Sequence, residues 1–509
     1  MEQAIRASSQ TNISLRTVSV LALEWLRDHP IRAMFAWLTL MAGLRLALAI
    51  NHEGYLGVDG GAYLLGMAQF WGGEPTGTSF ERPPLAPGYL LVPFMELIGG
   101  SLGFNIYAAV FSFAVFPGFF LLAQKIIGTR YAALATVALS TDFALGEMFV
   151  TGVVPLAGFG FLALLLYGMI GLSEEGNWKH RAAVVLSMPM IAMTNQTALG
   201  LALVVVPIAW LFLNKKIQLL MVLGAGALVS LSALPWYLDV LPGQPRVSYP
   251  GPLVYLNFWW SSQWLQALYA IVVGSSILYL FRSEKLGARR SERIIATLLL
   301  VHAVLNVFLS NDEALMNIFY RSSYWISIPF WIGSAIVVRE IYDRVDLGSM
   351  VRVAALIVFL AVGTYGSIYQ FYGQSYYSNL AGIEVLNALD SIPEGDITRI
   401  GTNAESRGFY FAALTKKPVA WVQSAWPAAS YVEQEEKARC ELGWVNDCSG
   451  EGWISHWIVD TRETQQVKAL FPMAPDPEDA FGDLGKHAPW LEKTFQQNNV
   501  EVWTYVDAS

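Results

Sequence analysis

A few carboxylates and arginines that fall between long apolar runs are the residues of this chain best suited to chemistry. Asp59 heads the stretch Asp59-Gly60-Gly61-Ala62-Tyr63, just after the first apolar run. A carboxylate at a lipid–water boundary is partly desolvated and can take a proton from a hydroxyl. The two glycines let the backbone approach a ligand closely. The same position suits an N-cap for a helix over 62–71 equally well. Further on, Glu81-Arg82-Pro83-Pro84-Leu85 holds an arginine against a rigid turn near the headgroups. A guanidinium held there can grip a phosphate through two parallel hydrogen bonds; snorkelling to lipid, or pairing with Glu81, would satisfy it too. The connector 142–151 carries Asp142 and Glu147, whose plain reading is a pair of solvated carboxylates at a helix–helix turn. Arg321 directly precedes another apolar run, either as an interfacial anchor or as a second phosphate contact.

The elements that must position these groups are set by hydrophobicity. Of 509 residues, 54% are hydrophobic and only 14% charged, and the mean hydropathy of +0.43 places most of the chain in lipid. The apolar runs are about 16–23 residues long, enough to cross a hydrocarbon slab of roughly 30 Å as helix. Spans are expected near 31–50, 103–124, 131–147, 150–172, 182–197, 198–213, 217–237, 263–281, 294–310, 322–338 and 353–371. With the N-terminus inside, roughly fourteen lysines and arginines fall on inner connectors, against only Arg82, Arg246 and Arg321 outside. The segment 85–99 is apolar enough to cross, but counting it would invert that bias. It reads instead as a helix in the outer interface, interrupted by Pro87 and Pro93. An odd number of crossings leaves everything after residue 371 outside.

The flanks differ in kind. Residues 1–30 show no cleavage-like site, so no removable signal peptide is expected, and 15–26 reads as an amphipathic helix on the inner membrane face. From about 375 the chain turns polar, with strand-like pieces at 397–401, 418–423, 454–460 and 500–506. Helical patterns lie at 380–389, 430–438 and 463–470, so a small α/β domain is expected. Both cysteines, Cys440 and Cys448, fall here; outside the cytosol they read as a disulfide, with two free thiols as the alternative. The net charge of −8 comes with no basic patch, which argues against nucleic acid as a partner. P-loop, CxxC, HExxH and Gly-x-Ser-x-Gly motifs are absent and the histidines are scattered, so neither ATP-driven nor proteolytic chemistry nor a metal cluster is indicated.

Asp59…Tyr63 followed by Glu81-Arg82-Pro83-Pro84-Leu85 resembles the first outer loop of the GT-C glycosyltransferases. The match is nearest to their family-39-like branch of protein O-mannosyltransferases and aminoarabinose transferases. The resemblance implies a polytopic α-helical membrane protein of GT-C fold with about eleven transmembrane helices. It would comprise a cytoplasmic segment 1–30, a transmembrane domain 31–371 whose catalytic outer loop is 51–102, and an exoplasmic α/β domain 372–509. It further implies transfer of one sugar, with inversion, from a polyprenyl-phosphate donor to a hydroxyl of a glycan, lipid or protein acceptor on the outer or periplasmic face. Asp59 would be the base, Glu147 the second catalytic acid with Asp142 in reserve, and Arg82 and Arg321 the contacts to donor phosphate. Tyr63 and Glu81 would line the substrate site, and the loop 249–264, with Trp259 and Trp260, would be either a lid over the donor lipid or part of the interfacial aromatic belt. The family's usual Asp-Glu before the tyrosine is Asp-Gly here, which argues against a two-carboxylate metal site in this loop; no cofactor is required, and a divalent metal stays an alternative that no clear motif supports. The expected location is a bacterial inner membrane, with membrane lipids as surroundings. Two other classes share these features: a transporter or flippase of a lipid-linked saccharide, and a silent scaffold whose outer domain binds a partner.

Overall fold

Where it is described, every apolar run of the sequence is helical. The computed structural model describes residues 15–57, 61, 63, 64, 67, 85–142, 154–194, 196–234, 263–281, 289–308, 325–342, 348–373, 381–402, 405–417, 419–421, 454–461 and 488–506. The first helix, α1 (Leu15–Asp28), has one apolar side and lies along the end of the chain's last long helix, α14 (Ser349–Gly373). Between them come α2 (Pro30–Ile50), α3 (Leu85–Leu97), α4 (Gly100–Phe111), α5 (Val115–Ile127), α6 (Thr129–Ser140) and α7 (Val154–Glu174). These are followed by α8 (Trp178–Thr194), α9 (Gln196–Phe212), α10 (Lys216–Ser230), α11 (Gln263–Phe281), α12 (Arg290–Phe308) and α13 (Ser327–Tyr342).

Two sequence expectations need refinement. The span expected at 103–124 lies within one candidate crossing, Gly100–Ile127, but a turn at 112–114 separates α4 from α5 inside it. Pro117 is the cause, since it has no N–H for the Phe113 carbonyl and its ring crowds that carbonyl. The chain tightens instead, with Phe113 N–H donating to Val110 O at 3.1 Å and Ala114 N–H to Phe111 O at 3.0 Å. The second correction concerns 85–99, which is not interrupted. Pro87 falls in the first turn of α3, where its missing N–H has no intrahelical acceptor to leave empty, and Pro93 is carried inside the helix.

The bundle is built around α7, which is buried over most of its length between α5, α8, α9 and α10. It meets α5 at a glycine pair: a Cβ on Gly118 would strike the Gly160 carbonyl, and one on Gly160 would lie 2.6 Å from Ala114 O. The outer surface stays apolar, with Leu40, Leu203, Leu211, Met221, Leu278 and Ile357 all exposed. Such a surface has no place in water, and hydrocarbon accepts it. Four helical segments among the described residues are long and apolar enough to cross a membrane: Pro30–Ile50, Gly100–Ile127 (α4 and α5 across their turn), Leu156–Glu174 and Lys216–Ala233 (α10 and the turn that follows it). Shorter apolar helices lie at Ala198–Phe212, Ala270–Phe281 and Ser349–Tyr365.

The charges are sorted to the ends. Lys125, at the foot of α5, bridges to Glu174 at 2.9 Å and also to Glu175, beyond the foot of α7. Arg290 at the start of α12 reaches Asn214, and Arg339 on α13 reaches Glu292 of α12 at 3.0 Å. Arg130 and Arg352 stand over Tyr342, 4.9 and 4.3 Å from its ring centre. These residues come from connectors assigned to one side by the alternating topology, and they meet one another at one end of the bundle.

At the other end sits the C-terminal domain. Its sheet has the order β4 (Val419–Trp421), β3 (Ile400–Thr402), β5 (His456–Asp460), β7 (Val500–Tyr505), β6 (Leu491–Gln497); β4, β3 and β5 are parallel, and β7 is antiparallel to both β5 and β6. Two helices, α15 (Ile383–Asp390) and α16 (Glu405–Thr415), complete the described part. Alternation along β5 sends Ile458 to one core, with Val385, Ile400, Phe411 and Val502, and Trp457 and Val459 to the other, with Leu491 and Trp503. The expected strands at 397–401, 418–423, 454–460 and 500–506 are present within a few residues, whereas β6 and α16 are additions.

Candidate functional site

The connector that follows α2 has its opening residues held from three sides. Strand β1 (Gly54–Tyr55) pairs antiparallel with β2 (Ala381–Gly382), at the entry to the C-terminal domain. Gly54 has φ +106°, and a Cβ there would lie 2.7 Å from Gly382 Cα, so only glycine allows the two backbones to meet. From the membrane domain, the buried amide of Asn105 on α4 accepts the Leu56 N–H at 2.9 Å and donates to Gly54 O at 2.8 Å and His52 O at 3.4 Å. From the C-terminal domain, Tyr410 of α16 donates its hydroxyl to Gly57 O at 2.6 Å and Leu56 O at 3.0 Å. The Tyr55 ring lies between Phe104 and Tyr410, with centroids 5.8 and 5.6 Å away. Burial pushes the Tyr55 phenol above its ordinary range and keeps it neutral.

Tyr63 and Leu64 return to the same apolar cluster, with Ala49, Leu91, Tyr107 and Ala381. Asp59 therefore lies in a stretch bracketed by buried residues, Gly57 before it and Gly61 and Tyr63 after it. Asp59 itself is outside the described residues, as are Glu81, Arg82, Glu147, Arg321, Cys440, Cys448 and, of the expected 249–264 loop, residues 249–262; Gln263 and Trp264 begin α11.

Asp142 belongs to a second polar group, deeper in the bundle at the end of α6. Trp331 Nε1 donates to its Oδ2 at 2.6 Å and the Ser327 hydroxyl to its Oδ1 at 3.2 Å, both from α13. Two residues earlier, Ser140 O accepts from Arg45 Nη2 at 3.3 Å. Arg45 Nη1 donates to the hydroxyl and carbonyl of Ser112 at 3.0 and 3.4 Å, and its guanidinium stands 4.9 Å from the Phe113 ring centre. Arg45 thus faces protein, as its place in an apolar run requires. Of the acids and the tyrosine expected at the site, the described residues place Tyr63 in the loop cluster and Asp142 in this one. Among the described residues no group of three His, Cys, Asp or Glu is arranged to hold a metal ion.

Asn105 and Tyr410 are the residues that sequence reasoning missed. An amide inside the apolar run of α4 is a signal, because a buried polar group needs partners. Tyr410, in an aromatic stretch, carries none.

The backbone fold is similar to that of known structures. ArnT from Cupriavidus metallidurans bound to undecaprenyl phosphate superposes with a TM-score of 0.57 at 12% identity, over 93% of this chain and 98% of that one. The chain has the GT-C fold. The arabinofuranosyltransferase AftD from Mycobacteria matches with a TM-score of 0.54 at 17% identity, over 93% of this chain and 40% of the larger AftD chain. The archaeal oligosaccharyltransferase AglB from Archaeoglobus fulgidus, in complex with an inhibitory peptide and a dolichol-phosphate, matches at 0.52 and 13%, over 95% and 75%. No protein-family model and no curated protein sequence matches the chain. At these identities the likeness is one of GT-C fold, carried by backbone arrangement and not by residues.

Proposed function

We propose that this chain is a membrane glycosyltransferase that moves one sugar from a polyprenyl-phosphate donor to an acceptor hydroxyl on the outer face of a bacterial inner membrane. The observation that carries the reading is the end-to-end likeness to a structure holding undecaprenyl phosphate, joined to a first outer loop in which anchored backbone ends two residues before the acidic Asp59. A second structure of the same fold holds dolichol-phosphate.

In this reading the chain crosses the membrane about eleven times. The acceptor oxygen attacks the anomeric carbon while Asp59 takes its proton. The new C–O bond forms as the bond to the carrier phosphate breaks on the opposite side, so the configuration inverts and polyprenyl phosphate leaves with the electron pair. Arg82 and Arg321 neutralise that phosphate, which is already a good leaving group. Glu147 orients the acceptor or assists the base, Asp142 is its reserve, and Glu81 and Tyr63 line the site. Orientation and charge stabilisation suffice without a metal. Glycan, lipid and protein hydroxyls all satisfy this chemistry.

Asp59→Asn tests the assignment. Insertion and extraction into detergent stay normal, while label transfer from polyprenyl-linked sugar in membranes falls by about 100-fold or more, the usual contribution of a positioned base. Near-normal turnover would remove Asp59 from the mechanism.

A further inference from the structure

The contacts at 52–57 raise the question of what the outer domain does for the membrane domain. Neither helix α4 nor the sheet of the C-terminal domain needs this segment to complete its own hydrogen bonding. Yet the backbone of 54–57 is bonded on one side by Asn105 and on the other by β2 and Tyr410. Tyr410 is fully buried, and its hydroxyl crosses from α16 to two carbonyls more than 350 positions earlier. The second of these carbonyls, Gly57 O, lies two residues before Asp59.

We infer that the C-terminal domain is a positioning element for the first outer loop, and that Tyr410 is the positioning residue through which it acts. The inference rests on the reading of Asp59 as the base, since it is the location of Asp59 that the clamp would fix. Backbone atoms in a loop end are ordinarily satisfied by water and free to move. Here they are tied to α4 and to the C-terminal domain at once, and a base must be held to a fraction of an ångström to be productive. Tyr410 touches no reacting atom in this account. It acts by removing freedom from the peptide planes immediately ahead of the carboxylate.

The test uses full-length protein in nanodiscs and the conservative change Tyr410→Phe, which keeps the ring and deletes the hydroxyl. Hydrogen–deuterium exchange over 52–57 should quicken by about tenfold, the factor that one buried hydrogen bond is worth. Exchange in β3, β5 and β7 should stay as in the parent. The maximal rate of label transfer should fall by a similar factor, while half-saturation in a titration with undecaprenyl phosphate alone stays put. Unchanged exchange over 52–57 would overturn the inference, whatever the activity does. So would faster exchange shared with β5 and β7, because Tyr410 would then be a core residue of its own domain. Asp59→Asn separates this from the function itself: retained transfer in that variant sinks the base assignment, while the exchange result judges the clamp alone.

Discussion

Arg45 can remain charged within an apolar bundle because three acceptors reach it from α4 and α6, and an aromatic face covers it. The turn at 112–114 makes this possible, since a helix carbonyl freed by Pro117's disruption of the ladder is available to an outside donor. We expect Arg45→Met to lower the stability of the extracted protein by about 1–3 kcal/mol, the cost of leaving buried acceptors without donors. The shift should be visible as a lower thermal midpoint in detergent. Arg45→Lys should recover little, because an ammonium lacks the fork that spans Ser112 and Ser140 together. A variant with the parental midpoint would show that the group is ornamental. The sequence makes Arg45 conspicuous as a charge in an apolar run, and Asn105 nearly as much. It hides their partners, because Ser112, Ser140 and the Leu56 backbone become neighbours only after helices distant in sequence pack.

At the level of elements, the close crossing of α5 and α7 depends on Gly118 facing Gly160. Gly118→Val would force the axes apart along a contact that the rest of the core is shaped to fill. The expected cost is about 3 kcal/mol, seen as loss of the monodisperse peak in size-exclusion chromatography of detergent extracts. An unchanged elution profile and yield would contradict it. Helix positions are legible here because length and hydropathy fix them. The break between α4 and α5 lies one turn before its proline, in residues that themselves favour helix, so the proline marks the break without locating it. In the outer domain, β6 reads Leu-Glu-Lys-Thr-Phe-Gln-Gln, with the polarity of a loop. Such composition is expected of an edge strand, where charged side chains discourage pairing with other chains. Asn498, with φ 51°, makes the turn that binds β6 to β7.

For the whole molecule, many lysines and arginines gather at one end of the bundle, and the proposed reading, following the positive-inside tendency, turns that end to the cytoplasm. This orientation can be checked with single cysteines at exposed sites, in a Cys440→Ser, Cys448→Ser background. Glu53→Cys and Lys416→Cys should react with a membrane-impermeant maleimide in intact cells, and Arg27→Cys and Lys216→Cys only after permeabilisation. The opposite pattern would turn the protein over and move the proposed chemistry to the other face. At this scale hydrophobicity marks the apolar segments that are helical among the described residues, and the change to polar composition near 375 precedes the small sheet region. The junction between the two bodies was not legible, because β1 and β2 are each two residues long and carry no periodicity.

That short junction also sets a clock on biosynthesis. The partner strand for Gly54–Tyr55 is encoded roughly 325 residues downstream, so at about 5–20 residues per second a nascent chain waits on the order of 15–60 s before the two can meet. Until then Gly54–Tyr55 lacks its mate, and on the proposed reading a ribosome-stalled or truncated product would carry Asp59 without the domain inferred to position it. On that reading, sugar transfer by half-made protein is disfavoured by the order in which the gene is read.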